Sequence, residues 1–198
     1  MSDVAGRDGP SGSAGASASD APAAAGHGDP RAARLPLLVC GELSRGDDAV
    51  AFAAVAALPP AVRDRVDIVA CGQLAVDHLL DVPAGVACVV VDAAVGVPPG
   101  EVVTLSLADV AARRGGGAPR SSHTLAPDQA IALAATLRGA PPEGAFVGIG
   151  GADFALGADL SPAVRAGLPR LVERLVMEIE RLAPAPAPAP SGPVEIGR

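Results

Sequence analysis

The chain has 198 residues and a formal charge of −7, with 22 acidic residues against 15 basic ones, all of them arginine. An acidic chain without basic runs is a poor candidate for nucleic acid or an anionic membrane surface, so we expect neither as a partner. Three cysteines without Cys-x-x-Cys spacing exclude a disulfide scaffold or zinc knuckle, and no apolar run reaches the roughly 18 residues that span a bilayer.

Composition separates two tails from one domain. Residues 1–34 are almost wholly Ala, Gly, Ser, Asp and Pro, which predicts a disordered tail. Residues 183–198 begin with alternating Ala and Pro, which favours an extended polyproline helix. The segment 35–182 between them is long enough to form one core. Because the N-terminus lacks the apolar stretch of a secretion signal, we expect the protein in the cytoplasm.

Apolar residues alternate between short runs and helical stretches, which predicts an α/β fold. The segment before 101–107 is too short for a crossover helix, so that strand should be an antiparallel edge. The predicted fold is a three-layer sandwich, in which helices flank a mostly parallel, twisted sheet of about five strands. In chain order the elements are strand Leu35–Cys40, helix Asp47–Leu58, strand Val66–Ala70, helix Leu74–Leu80, strand Ala87–Asp92, strand Glu101–Leu107, helix Ser122–Leu137, strand Ala145–Ile149 and helix Pro162–Leu182.

Three polar side chains lie at the ends of predicted elements. In open α/β sheets, ligands bind outside the carboxyl ends of the strands, so polar residues at these positions are candidates for binding a ligand. Asp48 follows the first strand, Asp92 ends the third, and His123 opens the helix before the last strand. Two carboxylates and one imidazole suit a first-row divalent ion such as nickel, zinc or manganese. We therefore expect Asp48, Asp92 and His123 to converge at one rim.

Simpler roles remain open for each of these residues. Asp47 and Asp48 also fit first-turn acids that complement a helix dipole. Asp92 also fits a cap on the following loop, and His123 a solvated residue at a helix start. The loop after the first strand is neither GxGxxG nor Walker A, which argues against a nucleotide. We expect the three cysteines to pack in the core as small apolar residues; they are Cys40, Cys71 and Cys88.

Four segments, in this order, resemble the hydrogenase maturation proteases, the endopeptidases that trim the C-terminus of the nickel–iron hydrogenase large subunit. They are LLVCGELSRGDDAV, VVVDAAVG, SSHTLAPDQAIALA and FVGIGGADFALGADLSPAVRAGLPRLVERL. The resemblance implies that Asp48, Asp92 and His123 contact nickel already inserted in the substrate, or position the scissile bond and a water. It implies the large-subunit precursor as partner, nickel supplied by that subunit, and no organic cofactor.

Two departures from the family pattern bear on substrate recognition. Glu42 stands where the family usually has Asn, and Cys71-Gly72-Gln73-Leu74-Ala75 replaces a Gly-Gly-Thr-x-Gly loop, of which only Gly72 is retained. We expect Glu42 and Gly72 to contact the substrate and to influence which large subunit is recognised. The alternative is a non-catalytic hydrogenase assembly chaperone or binding module with a degenerate site.

Overall fold

A five-stranded sheet is the centre of the computed structural model, which describes residues 34–112 and 125–184. The strand order is β2-β1-β3-β5-β4. β4 runs antiparallel to β5 at the edge, and the other pairs are parallel. The predicted mostly parallel sheet with one antiparallel edge strand is confirmed. The strands are β1 (Leu35–Cys40), β2 (Val66–Gly72), β3 (Cys88–Pro99), β4 (Val102–Ser106) and β5 (Gly144–Gly150).

Helices cover both faces of this sheet. The helices are α1 (Val50–Ala56), α2 (Pro60–Arg63), α3 (Val76–Leu80), α4 (Leu107–Ala112), α5 (Pro127–Arg138) and α6 (Pro162–Leu182). One core cluster packs α1, α2 and α6 against the sheet, and the other packs α4 and α5 together with α3 against the opposite face. The three-layer sandwich predicted from the sequence is therefore confirmed.

The central strand β3 shows why the sheet is buried on both faces. Its residues Val89 and Val91 belong to the α1–α6 core, whereas Cys88 and Val90 belong to the opposite one, and all four are 0% exposed. A parallel strand covered by helices on both faces must be apolar at consecutive positions. The run ACVVVD therefore indicates from the sequence alone that this strand lies at the centre of the sheet.

Helix α6 forms as its sequence predicts. The Ser161 hydroxyl caps its start by accepting the Val164 N–H at 3.4 Å, and Pro162 occupies the first turn. The buried residues of α6 repeat at steps of three or four, which places them on one stripe against the sheet. They are Val164, Gly167, Leu171, Leu175 and Ile179.

Several boundaries differ from the prediction. The strand expected to end at Asp92 continues to Pro99, because it pairs with β5 as far as Ala94 and again at Pro99. The helix expected from Asp47 begins as a 3₁₀ turn, Gly46–Ala49, before α1. Helices α2 and α4 were not predicted. Of the helix predicted over 122–137, residues 122–124 lie outside the described residues, and α5 begins at Pro127.

Most of both predicted tails lies outside the described residues, namely 1–33 and 185–198. The first residues after α6 contact the domain, because Arg65 Nη2 donates to the carbonyl oxygens of Ala183 at 3.2 Å and Pro184 at 3.4 Å. The guanidinium thus ties the end of α6 to the turn before β2. Within 34–112 and 125–184, no helix combines the length and apolar character that crossing a bilayer requires.

Candidate functional site

An open groove of about 1470 Å³ lies at the carboxyl ends of β1, β2 and β3. Its walls come from the loops after β1 and β2, the extended part of β3, β4 and the segment after β5. This is the edge at which ligands bind in open α/β sheets. Both carboxylates singled out in the sequence line the groove. Its acidic side chains are Glu42, Asp48, Asp92 and Asp128, with Arg45 as a neighbouring cation.

Asp48 is positioned by the tight loop after β1. Its Oδ2 accepts the Glu42 N–H at 3.0 Å, so the loop closes on the carboxylate. Gly41 makes this closure possible, because its φ is +110° and an added Cβ would overlap the Asp48 carbonyl oxygen. Gly41, the first glycine of the LLVCGELSRGDDAV segment, therefore allows the Asp48 carboxylate to reach the groove.

Asp92 reaches the groove from β3. β1 pairs with β3 only as far as Val91, so Asp92 lies just past the end of that pairing. Its Oδ1 accepts the Ala93 N–H at 2.8 Å. Burial raises the pKa of Asp92 to about 7; the Ala93 N–H opposes this rise, and the charge of Asp48 adds to it. Two like charges facing one space are costly until a cation or proton neutralises one of them.

Asp47, next to Asp48, has a different role. It is 0% exposed, and its carboxylate accepts three backbone N–H groups: Ala152 at 2.7 Å, Asp153 at 3.0 Å and Ser161 at 2.6 Å. Burial by itself raises the pKa of Asp47, but these N–H groups and the Ser161 hydroxyl outweigh it and hold the pKa below its usual value. Asp47 therefore fastens the loop after β1 to the segment between β5 and α6.

Of the other predicted site residues, Glu42 and Gly72 line the groove, whereas His123 is not among the described residues. Glu42 is exposed at the groove, where its Oε1 accepts the Ser44 hydroxyl at 3.2 Å. Gly72 also lines the groove, and its carbonyl accepts the Gly41 N–H at 2.6 Å. His123 lies outside the described residues, so its convergence with the two acids stays a prediction. In the described part of the chain, no three His, Cys, Asp or Glu side chains are grouped to hold a metal ion.

The apolar half of the groove was missed by the sequence reasoning. This lining exists because β3 continues past Asp92 and β4 lies beside β5. Neither feature is accompanied by a polar residue at a strand end, which was the signal that the sequence reasoning used. Two side chains at the groove, Val95 and Leu156, are each 78% exposed, and Leu43 in the adjacent loop is 68% exposed. Such exposed apolar side chains beside a cleft are typical of an interaction site. The apolar lining includes Val95, Val97, Val103, Leu105, Val110, Phe146, Phe154 and Leu156.

Comparison with solved structures identifies the fold. The hydrogenase maturating endopeptidase HybD from E. coli superposes with a TM-score of 0.59 at 22% identity, covering 75% of this chain and 93% of that one. The [NiFe] hydrogenase maturation protease HybD from Thermococcus kodakarensis gives 0.55 at 24%, covering 76% and 99%. HycI, a [NiFe] hydrogenase maturation protease from Thermococcus kodakarensis KOD1, gives 0.54 at 20%, covering 75% and 93%.

The chain has the fold of the hydrogenase maturation proteases. No protein-family model matches it, and no curated protein sequence matches it significantly. The resemblance to this family is thus confirmed at the level of the fold. Identities of 19–24% carry the fold alone.

Proposed function

We propose that this protein is a cytoplasmic endopeptidase that removes a C-terminal peptide from a nickel-loaded hydrogenase large-subunit precursor. One observation carries the proposal: Asp48 and Asp92, separated by most of two βα units in sequence, line the same groove. They do so on the fold of proteins whose names state this kind of activity. Neither observation alone is sufficient, because a shared fold does not imply a shared function.

The size and polarity of the groove fit a polypeptide segment. A volume of about 1470 Å³ exceeds the roughly 300–1,000 Å³ of most small-molecule sites. The lining combines the carboxylates of Glu42, Asp48, Asp92 and Asp128 with apolar residues that include Val103, Leu105 and Phe154. An extended chain that carries a cationic centre and apolar side chains matches this lining.

The chemistry follows from the two acids and from what the substrate brings. Nickel carried by the large subunit would meet Asp48 and Asp92, whose mutual repulsion it relieves. As a Lewis acid it polarises a carbonyl or acidifies a water, so no serine or cysteine nucleophile is needed. His123 is proposed as the third contact, as the sequence resemblance implies. Glu42 and Gly72 are proposed to contact the substrate at the groove rim.

Co-expression with a nickel-loaded cognate precursor tests this function. Intact mass of the large subunit should show loss of a C-terminal peptide with the wild type, and no loss with Asp48→Asn, Asp92→Asn or His123→Ala. Asp67→Asn is the matched control, because Asp67 is an exposed acid on β2 that does not line the groove.

The same experiment distinguishes the protease from the alternative, a non-catalytic assembly chaperone. If the wild type binds the precursor but leaves its mass unchanged, the protein is an assembly chaperone and the protease proposal is wrong. Cleavage that persists in all three variants would place the chemistry elsewhere and would equally overturn the proposal.

A further inference from the structure

Two cysteines meet where β1 and β2 end. Val39 is paired with Ala70, but Cys40 is paired with Gly72, so Cys71 is the extra residue of a bulge opposite the end of β1. Both cysteines belong to the same core cluster on the α3–α5 face, which places their side chains on one side of the sheet. Cys71 therefore lies next to the residue opposite Cys40 and on the same side of the sheet.

The two side chains are close neighbours. Each cysteine is the largest cause of the shift in the other's pKa. Cys40 is paired with Gly72, so Cys71 lies one residue from the position opposite Cys40 on a strand about 4.8 Å away. A disulfide bridges roughly 4.4–6.8 Å between Cα atoms. Both thiols are free in this structure, and the Cys71 thiol donates to the Val69 carbonyl oxygen at 3.5 Å.

The two thiols differ in accessibility and acidity. Cys40 is 1% exposed, whereas Cys71 is partly exposed beside the groove residue Gly72. The neighbouring Cys40 thiol holds the pKa of Cys71 below its usual value, whereas Cys71 and burial raise the pKa of Cys40. Cys71 is therefore the more acidic thiol and the one that an external reagent meets first, and Cys40 is the thiol behind it.

Cys88 provides the internal contrast. It lies in β3 on the same face of the sheet and is 0% exposed, and burial raises its pKa to about 12. A cysteine of this kind packs as a small apolar residue and reacts slowly. The sequence interpretation of the cysteines as buried apolar residues is confirmed for Cys40 and Cys88, whereas Cys71 is partly exposed.

We propose that Cys40 and Cys71 are a redox modification site, at which a low-molecular-weight disulfide such as oxidised glutathione converts the pair into an intramolecular disulfide. The Cys71 thiolate attacks one sulfur of the reagent, forming a mixed disulfide and releasing one glutathione thiolate. Cys40 then loses its proton and attacks the Cys71 sulfur, which releases the second glutathione as thiol after protonation. The protein dithiol is oxidised by two electrons and the reagent is reduced by two.

The new bond lies at the base of the groove rim. The residues that follow the two cysteines, Gly41 and Gly72, line the groove and are already joined by the Gly41 N–H, which donates to the Gly72 carbonyl at 2.6 Å. Oxidation adds a covalent link directly behind this hydrogen bond, so it fixes the spacing of the loops after β1 and β2. Reduction by a dithiol restores the present arrangement.

Treatment of the full chain with oxidised glutathione, followed by thiol blocking and peptide mapping by mass spectrometry, tests the site. We expect a linked peptide pair containing Cys40 and Cys71, its loss on addition of dithiothreitol, and a rise in Tm of roughly 5 °C in the oxidised form. Cys88→Ala is the matched control and should form the same link between Cys40 and Cys71 as the wild type. Cys71→Ser and Cys71→Ala should form no intramolecular link.

Three results would overturn the proposal: a glutathione adduct on Cys71 that persists without closing, a link involving Cys88, or no oxidation. The variants are placed at Cys71 because it is partly exposed, so that a missing link does not arise from a misfolded core. The readout is the mass of this protein alone. It therefore does not depend on whether the protein cleaves a hydrogenase precursor.

Discussion

Replacing Asp47 by Asn should destabilise the fold far more than the same change at Asp48. Asp47 Oδ2 accepts the Ala152 and Asp153 N–H groups, and Oδ1 accepts the Ser161 N–H at 2.6 Å. The amide of Asp47→Asn would keep one acceptor oxygen, but its NH₂ group would face a backbone N–H, and two donors cannot form a hydrogen bond with each other. Asp48 accepts one N–H, from exposed Glu42, so its amide is accommodated by rotation.

The expected loss follows from the number and kind of these bonds. A hydrogen bond to a charged group contributes about 1.5–3 kcal/mol, and a buried donor left unpaired costs about 1–3 kcal/mol. Asp47→Asn weakens two such bonds and loses the third, which we set at about 3 kcal/mol in total. For a domain of this size that corresponds to a Tm lower by roughly 10 °C. Asp48→Asn should cost less than about 1 kcal/mol.

Urea unfolding followed by far-ultraviolet circular dichroism measures both values, since the chain has no Trp or Tyr for intrinsic fluorescence. The pKa of Asp47 is lowered on folding, so its stabilisation is complete above the ordinary carboxyl pKa of about 4 and is lost as pH falls through the lower folded value. The gap between wild type and Asp47→Asn should therefore narrow below about pH 4. Equal losses for the Asp47 and Asp48 variants would refute the structural role assigned to Asp47.

Three further predictions concern the groove and the end of α6. In metal-free buffer, the stability of Asp92→Asn relative to the wild type should increase by about 3 kcal/mol between pH 5 and pH 8, because a carboxyl whose folded pKa is raised to about 7 destabilises the fold as pH rises from about 4 to about 7. Calorimetry at both pH values decides this, and a constant difference contradicts it. Gly41→Ala should lower stability by about 3 kcal/mol, since φ is +110° and the Cβ overlaps a backbone carbonyl; unchanged urea unfolding would show that the loop relaxes. Ending the chain at Pro184 should leave Tm within about 1 °C, whereas ending it at Leu182 should lower it by roughly 3 °C, because Arg65 loses two acceptors; identical Tm values for both truncations would contradict the role of Arg65.

The sequence predicted the elements whose signals are local. Leu35–Cys40 and Pro162–Leu182 begin and end in the structure where they were predicted, because β-branched or aliphatic runs and a Ser-Pro helix start determine them. Asp48 and Asp92 were found because each follows an apolar strand, and parallel strands end at one edge. The extension of β3 to Pro99 was not predicted, since it depends on pairing with β5 across a Pro- and Gly-containing stretch.

By itself, therefore, the sequence determined the α/β class, the strand that lies at the centre and the edge at which the acids occur. Hydrophobic period and residue type act within a few residues, so they are visible in a single chain. Only the tertiary structure decided which of two adjacent acids is buried: Asp47 takes three backbone N–H groups from a segment more than a hundred residues later, while Asp48 faces the groove. It also decided that Cys71 is a neighbour of Cys40, because this proximity depends on the register in which β1 and β2 pair.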